Sequence, residues 1–188
     1  MNSLIKILQL FLIIVGLKLK AQENAMTERY GNTLNAGVGL GYYGYVGYNL
    51  PVLHADYEIQ IDRNITLAPS ITFYNYEHTY YWGNRFNNYQ NYRYTETVIP
   101  IGIKTTYYFD QLLKANSKWD FYAAGSLGYI IRKTSWENGY YGETHINPGT
   151  GPLYLDFHVG TECHLNNKLG LQLDLSTGVS TFGIAFHL

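Results

Sequence analysis

The chain is poor in charge and has almost no cysteine. Charged residues make up 14% of its 188 positions, where a soluble domain carries about a quarter, so a wholly water-facing surface is a poor fit. Cys163 is the only cysteine, which excludes an intramolecular disulfide. Its place among the apolar residues of a strand pattern marks it as a small hydrophobe rather than a nucleophile. Nothing resembles the basic stripe that a nucleic-acid partner demands. Beyond residue 21 no apolar run approaches the roughly 18 residues of a membrane helix, so strands would have to carry the chain into any membrane. A nucleophile elbow of the Gly-x-Ser-x-Gly type is also missing, because Gly125-Ser126 is followed by Leu127-Gly128 and the spacing fails.

The first 21 residues read as an export signal. Lys6 lies near the start, an apolar stretch runs from Leu4 to Leu19, and Lys18 and Lys20 precede the small residue Ala21. The uninterrupted part is far short of the roughly 20 residues a spanning helix needs. No cysteine follows it, which argues against a lipid-anchored mature terminus. Cleavage there removes three lysines and no acid, taking the formal charge from −1 to −4. Residues 22–33 then read as a short periplasmic lead-in, and 34–188 as a single barrel domain.

What the sequence has in quantity is aromatic residues and alternation. Aromatics reach 16%, with 20 tyrosines, a composition suited to rings placed at two lipid–water boundaries. Successive side chains of a strand face opposite sides of the sheet, and eight segments alternate in this way. Leu53, Ala55, Tyr57, Ile59 and Ile61 oppose His54, Asp56, Glu58 and Gln60, while Leu155, Phe157 and Val159 oppose Asp156 and His158. The segments begin near Leu34 (to Val46), Leu53, Ile65, Thr97, Trp119, Leu153, Leu169 and Phe182. This pattern predicts an all-β fold, an eight-stranded antiparallel up-and-down transmembrane β-barrel. Pro100 predicts a local irregularity in the fourth strand, since proline gives no hydrogen to the ladder. The connections Glu77–Arg93 and Lys133–Gly151 are long and aromatic, matching external loops, whereas Asp62-Arg63-Asn64 and Asn166-Asn167 match tight periplasmic turns.

The glycine-spaced segment Gly37 to Gly44, the run Val98 to Phe109 and the closing Phe182 to Leu188 resemble the small eight-stranded outer-membrane barrels of Bacteroidetes-type bacteria, often called porin-family or outer-membrane β-barrel domain proteins. The likeness covers nearly all of the chain after the leader. It implies an outer-membrane address, contact with outer-membrane lipid and lipopolysaccharide, and insertion by the outer-membrane assembly machinery, and it supplies no activity.

Two groups of residues are candidates for function. The inward set holds His54, Asp56, Glu58, Lys104, Asp120, Asp156, His158, Glu162 and Asp174, with Lys104 the only clear base. Buried carboxylates of this number need partners, and Arg63, Arg93 and Arg132 are candidates to reach in from strand ends. His54, Asp56, Glu58, His158 and Glu162 could serve as acid and base or hold a metal. The plainer reading is a hydrogen-bonded polar plug, completed by Tyr43, Tyr74, Tyr108, Tyr122 and Tyr154, because an eight-stranded barrel is only wide enough for its own side chains. His158, Glu162 and His164 share a face, but the set spans roughly 20 Å at about 3.3 Å per residue and cannot grip one ion.

The second group, Tyr80, Tyr81, Trp82, Tyr89 and Tyr92, combines stacking rings with neighbouring amides that suit a sugar-like surface ligand. The same stretch also reads as two strands continuing beyond the lipid over an aromatic belt. The reading is a monomeric, non-enzymatic outer-membrane barrel with a structural or surface-binding role, without cofactor, metal or nucleic-acid partner. The rivals are an outer-membrane lipid-modifying enzyme and a secreted, soluble lipocalin-like carrier with its oily face turned inward.

Overall fold

The computed structural model describes residues 30–41, 48–49, 52–82, 90–109, 113, 118–138 and 151–188. The expected export signal over residues 1–21 and most of the expected lead-in lie outside them. The strands are β1 (Thr33–Gly41), β2 (Tyr48–Asn49), β3 (Val52–Asp62), β4 (Ile65–Trp82), β5 (Gln90–Tyr108), β6 (Trp119–Trp136), β7 (Leu153–Asn166), β8 (Leu169–Ser176) and β9 (Val179–His187). Sequential neighbours pair antiparallel, β1 pairs with β9, and the additional β4–β5 ladder completes a ring of eight strands with β2 as a two-residue extension along β4. The expected up-and-down barrel is therefore closed, leaving no sheet edge within the ring.

The alternation read from the sequence sets the two faces. Leu34, Val38, Leu53, Ile71, Ile103, Leu127, Leu155, Phe157, Val159, Leu173, Phe182 and Ile184 stand exposed on the outside, while Asn35, Asp56, Glu58, Lys104, Asp156, Glu162 and Asp174 are buried within. A lipocalin-like carrier would need the opposite arrangement.

Two-residue turns close one end, hereafter the turn end. At Asp62-Arg63-Asn64 the Asp62 carboxylate accepts from Arg63 N at 2.7 Å, and at Asn166-Asn167-Lys168 the Asn166 side chain accepts from Lys168 N at 2.8 Å. Asp and Asn favour such turns because their short side chains bond the nearby backbone. Next to each turn the register slips by one residue, between Gln60 and Asp62 and between His164 and Asn166, as β-bulges at barrel rims do.

The fourth strand is irregular at Pro100, as its proline implies. The β4–β5 partners skip from Ile71–Ile101 to Tyr74–Val98 with no change of register, while Pro100 still partners Ile130 on the other side. Pro69 does the same on β4: the β3–β4 partners skip from Asp56–Ser70 to Ile59–Leu67. Each proline removes ladder bonds to one neighbour only, so the closed ring tolerates both.

The strands run further at the loop end than their polarity suggests. β4 reaches Trp82, β5 begins at Gln90 and β6 reaches Trp136, so most of the expected Glu77–Arg93 loop and the start of the Lys133–Gly151 loop are paired strand. Once a strand leaves the apolar band its outward residues turn polar, as at Glu77 and Thr79, and the alternation disappears although the ladder continues.

Inside, glycines let long side chains cross a strand. Tyr122 on β6 lies opposite Gly160 on β7, which lies opposite Asp174 on β8. The Tyr122 ring passes over Gly160 and its hydroxyl donates to Asp174 Oδ2 at 2.9 Å. Tyr154 likewise lies over Gly128 and reaches Gly102. A Cβ at Gly160 would overlap the Tyr122 ring, so Gly160→Ala should destabilise the barrel by about 1–3 kcal/mol through overpacking. Urea unfolding in micelles measures this, and the loss should shrink in a Tyr122→Leu background. Equal losses in both backgrounds would refute the crossing.

Candidate functional site

Lys104, inward on β5, is the hub of the interior. Its ammonium donates to Asp56 Oδ2 at 2.7 Å and lies 3.6 Å from Glu58 Oε1 and 3.9 Å from Asp174 Oδ2. These groups are almost fully enclosed: the Lys104 side chain is 3% exposed and that of Asp56 1%. One ammonium does not balance three carboxylates, and hydrogen bonds supply the rest. Asn35 Nδ2 donates to Asp56 Oδ1 at 2.8 Å and to Glu58 Oε1 at 3.1 Å, while Thr66 and Tyr108 both donate to Glu58 Oε2, at 2.6 and 2.8 Å. Lys104 also lies 5.9 Å from the centre of the Tyr122 ring, within cation–π range.

Two histidines extend the network towards the loop end. His54 donates from Nε2 to Asp56 Oδ2 at 3.0 Å and pairs through Nδ1 with Thr72 Oγ1 at 2.8 Å. His158 donates from Nδ1 to Asp174 Oδ1 at 2.7 Å, with Ser126 Oγ 2.8 Å from its Nε2. The Ser126–His158–Asp174 order has the connectivity of a hydrolytic triad. Ser126 is buried and faces the lumen in the same crowded shell as Lys104. The cavity between these groups measures about 30 Å³, bordered by His54, Thr72, Lys104, Ser126, His158 and Asp174, room for a water or two.

The structure thus gathers His54, Asp56, Glu58 and His158 around Lys104, and it places Glu162 elsewhere. Glu162 pairs with His187 Nε2 at 2.7 Å, and Asp120 pairs with His164 Nε2 at 2.8 Å, both at the turn end. Asp156 is buried and accepts from Thr177 Oγ1 at 3.3 Å. Of the three candidate arginines, Arg132 reaches inward, lying 3.6 Å from Glu96. Arg63 is exposed in its turn. Arg93 points away to Glu137, whose carboxyl is held below the usual carboxylate range, chiefly by the Arg93 backbone N–H donated at 3.0 Å. Asn35, Thr66 and His187 were absent from the candidate set. Their inward parity is readable, but which groups they meet depends on register.

The aromatic candidates change status. Tyr80, Tyr81 and Trp82 belong to β4 and Tyr92 to β5, not to a loop, and Tyr89 lies outside the described residues. Tyr80 partners Tyr92 in the ladder. The inward faces of the protruding β4–β6 sheet instead form a stack: Tyr76 meets His78 edge-on at 4.9 Å, His78 stacks on Tyr94 at 5.3 Å, and Trp136 contacts Tyr94 at 4.8 Å and Tyr80 at 5.7 Å. Neither His78 nor Trp136 was among the candidate residues.

No protein-family model matches the sequence, and no curated protein matches it. Among solved structures the chain is similar to the attachment invasion locus protein Ail of Yersinia pestis, crystallised with the heparin analogue sucrose octasulfate (7% identity, TM-score 0.42, covering 83% of this chain and 98% of that one). It is also similar to Neisserial surface protein A (16%, 0.41, 84% and 94%) and to outer membrane protein W of E. coli (13%, 0.43, 87% and 100%). All three scores lie below 0.5, so the architecture stands on the strand pairing of this chain itself.

Proposed function

We propose that this protein is an integral outer-membrane barrel with a plugged polar lumen, exported behind a cleaved leader over residues 1–21, and that it serves as a scaffold or surface-binding protein without catalysis. The small porin-family barrels of Bacteroidetes-type bacteria are the group it resembles in sequence pattern. One observation carries the reading: the exterior is a continuous belt of Leu, Ile, Val and Phe, while the charges lie inside on Asp56, Glu58, Lys104 and Asp174. Water would penalise that belt, and lipid would not. β7 alone has 14 residues, more than the roughly 9–11 a tilted strand needs to cross hydrocarbon.

The group of Tyr80, Trp136, Tyr94 and His78 at the loop end is the surface-binding element of this reading, with Tyr80 exposed beside Trp136, facing outward from the cell if the two-residue turns face the periplasm. The lumen contributes rigidity rather than passage. Outer-membrane lipid and lipopolysaccharide are the surrounding partners, the assembly machinery acts during insertion, and the barrel works as a monomer.

The test is cell fractionation followed by gel mobility before and after boiling, then reconstitution in planar bilayers. The protein should pellet with outer membrane, migrate differently once boiled, and give no steady nanosiemens-scale conductance. Recovery in the soluble periplasmic fraction would overturn the membrane assignment, and stable openings from a homogeneous monomer would overturn the plug.

A further inference from the structure

Glu162, His164 and His187 bring three metal-ligating atoms within 4.8 Å of one another at the turn end of the barrel. Glu162 and His164 are inward on β7, and His187 is inward on β9. The strand between them is β8, where Gly170 leaves the space that the Glu162 carboxylate occupies; a Cβ there would overlap Glu162 Oε1. Gly170 partners both His164 and Ala185 in the ladders. A side chain at Gly170 would keep the carboxylate from the His187 ring.

The hydrogen bonds fix which ring atoms face the centre. The Thr33 hydroxyl lies 3.1 Å from both Tyr30 O and His187 Nδ1, so by donating its one hydrogen to Tyr30 O it is placed to accept from Nδ1–H. The His187 Nε2 lies 2.7 Å from Glu162 Oε1, which can only accept, so without an ion a hydrogen on Nε2 lies between them; a bound ion takes the place of that hydrogen, with Nδ1–H turned to Thr33. On the other ring, Asp120 Oδ2 can only accept, so His164 carries hydrogen on Nε2 at 2.8 Å from it and turns Nδ1 towards the same Glu162 oxygen, 3.7 Å away. Two imidazole nitrogens and a carboxylate oxygen then converge on one point. Such a convergence is repulsive unless a cation or a proton sits in it.

We propose that Glu162, His164 and His187 form a binding site for a divalent transition ion of the zinc, nickel or copper kind. Two imidazoles and one carboxylate are a ligand set for these ions, with a further position left for water. Asp120 behind His164 and Thr33 behind His187 are the outer hydrogen-bond partners that fix a metal-binding ring's tautomer and orientation. Bonds of about 2.1 Å give a tetrahedral edge of about 3.4 Å, and the stacked rings, 5.0 Å apart and 28° from parallel, close to that spacing by small ring rotations. Both rings are partly solvent-exposed, 24% for His164 and 18% for His187, so an ion enters from the turn end without crossing the lumen.

The test uses untagged, full-length barrel folded in detergent, checked by heat-modifiable mobility and titrated with Zn²⁺ against a chromophoric chelator. One ion should bind per chain. His187→Ala and His164→Gln should each weaken binding at least tenfold, Asp120→Asn about tenfold, and His54→Gln, deeper in the lumen, should leave it unchanged. Cu²⁺ electron paramagnetic resonance on the parent protein needs no variant to fold and should show coupling to two imidazole nitrogens. A pair held by a proton alone would give no saturable Zn²⁺ binding and no nitrogen coupling, and either result would overturn the proposal. So would weakening by His54→Gln equal to that by His187→Ala.

Discussion

Lys104→Met should lower the unfolding free energy of the barrel by about 3–5 kcal/mol, the cost of leaving buried carboxylates without their counter-charge. Methionine keeps nearly the same volume and removes only the ammonium, so packing loss contributes little. Asp56 loses its 2.7 Å charge-assisted bond and Glu58 a cation at 3.6 Å, in a shell where neither side chain is more than 2% exposed. The bonds from Asn35, His54, Thr66 and Tyr108 remain, and they limit the loss rather than cancel it. Denaturant titration followed by heat-modifiable mobility reads the change. Adding Asp56→Asn to Lys104→Met should recover part of the stability, because it removes one of the stranded charges. A loss below about 1 kcal/mol for Lys104→Met would mean that water already solvates these carboxylates and that the interior is wet rather than packed.

The fold was legible because period-two alternation is strict wherever one face meets an apolar medium. Leu155, Phe157 and Val159 against Asp156 and His158 allow one orientation, and a slip of one residue would bury the oily set among the charges. The ends of β4, β5 and β6 were not legible. From Tyr76 to Trp82 the strand is held by its ladder to β5, and its residues resemble a loop because the outward Glu77 and Thr79 are polar and break the alternation. Pro100 announced its gap, whereas Pro69 produces an equal one that the surrounding alternation of Leu67 and Ile71 conceals.

The interior was legible by face and not by neighbour. Inward parity alone identifies Glu162 and His187, but their meeting depends on the bulge near Leu165, on the β8–β9 register and on the missing side chain at Gly170. The same holds for Tyr122, whose bond to Asp174 requires Gly160 between them. A strand's own sequence states which side a residue faces. The pairing of three strands decides what it touches, and that information is distributed over turns and glycines rather than written as a motif.

A lysine on the outer face should report depth in lipid. Val159 lies midway along the outward residues of β7, six positions from both Leu153 and Leu165, and is 61% exposed. Val159→Lys should cost about 2–4 kcal/mol in a bilayer, because the ammonium would lie near the midplane, whereas Leu165→Lys, beside the two-residue turn, should cost about 0–1 kcal/mol, since its side chain reaches the interface. Both positions are open to the surroundings, so neither substitution creates a cavity, and the difference between them isolates the medium. For a barrel surrounded by water both changes would fall within about 0.5 kcal/mol of the parent, as exposed substitutions do. Equilibrium unfolding from phospholipid vesicles gives the two values. Equal small losses at Val159 and Leu165 would remove the membrane from the account of this belt, while a steep gradient would place the centre of the hydrocarbon at the middle of β7.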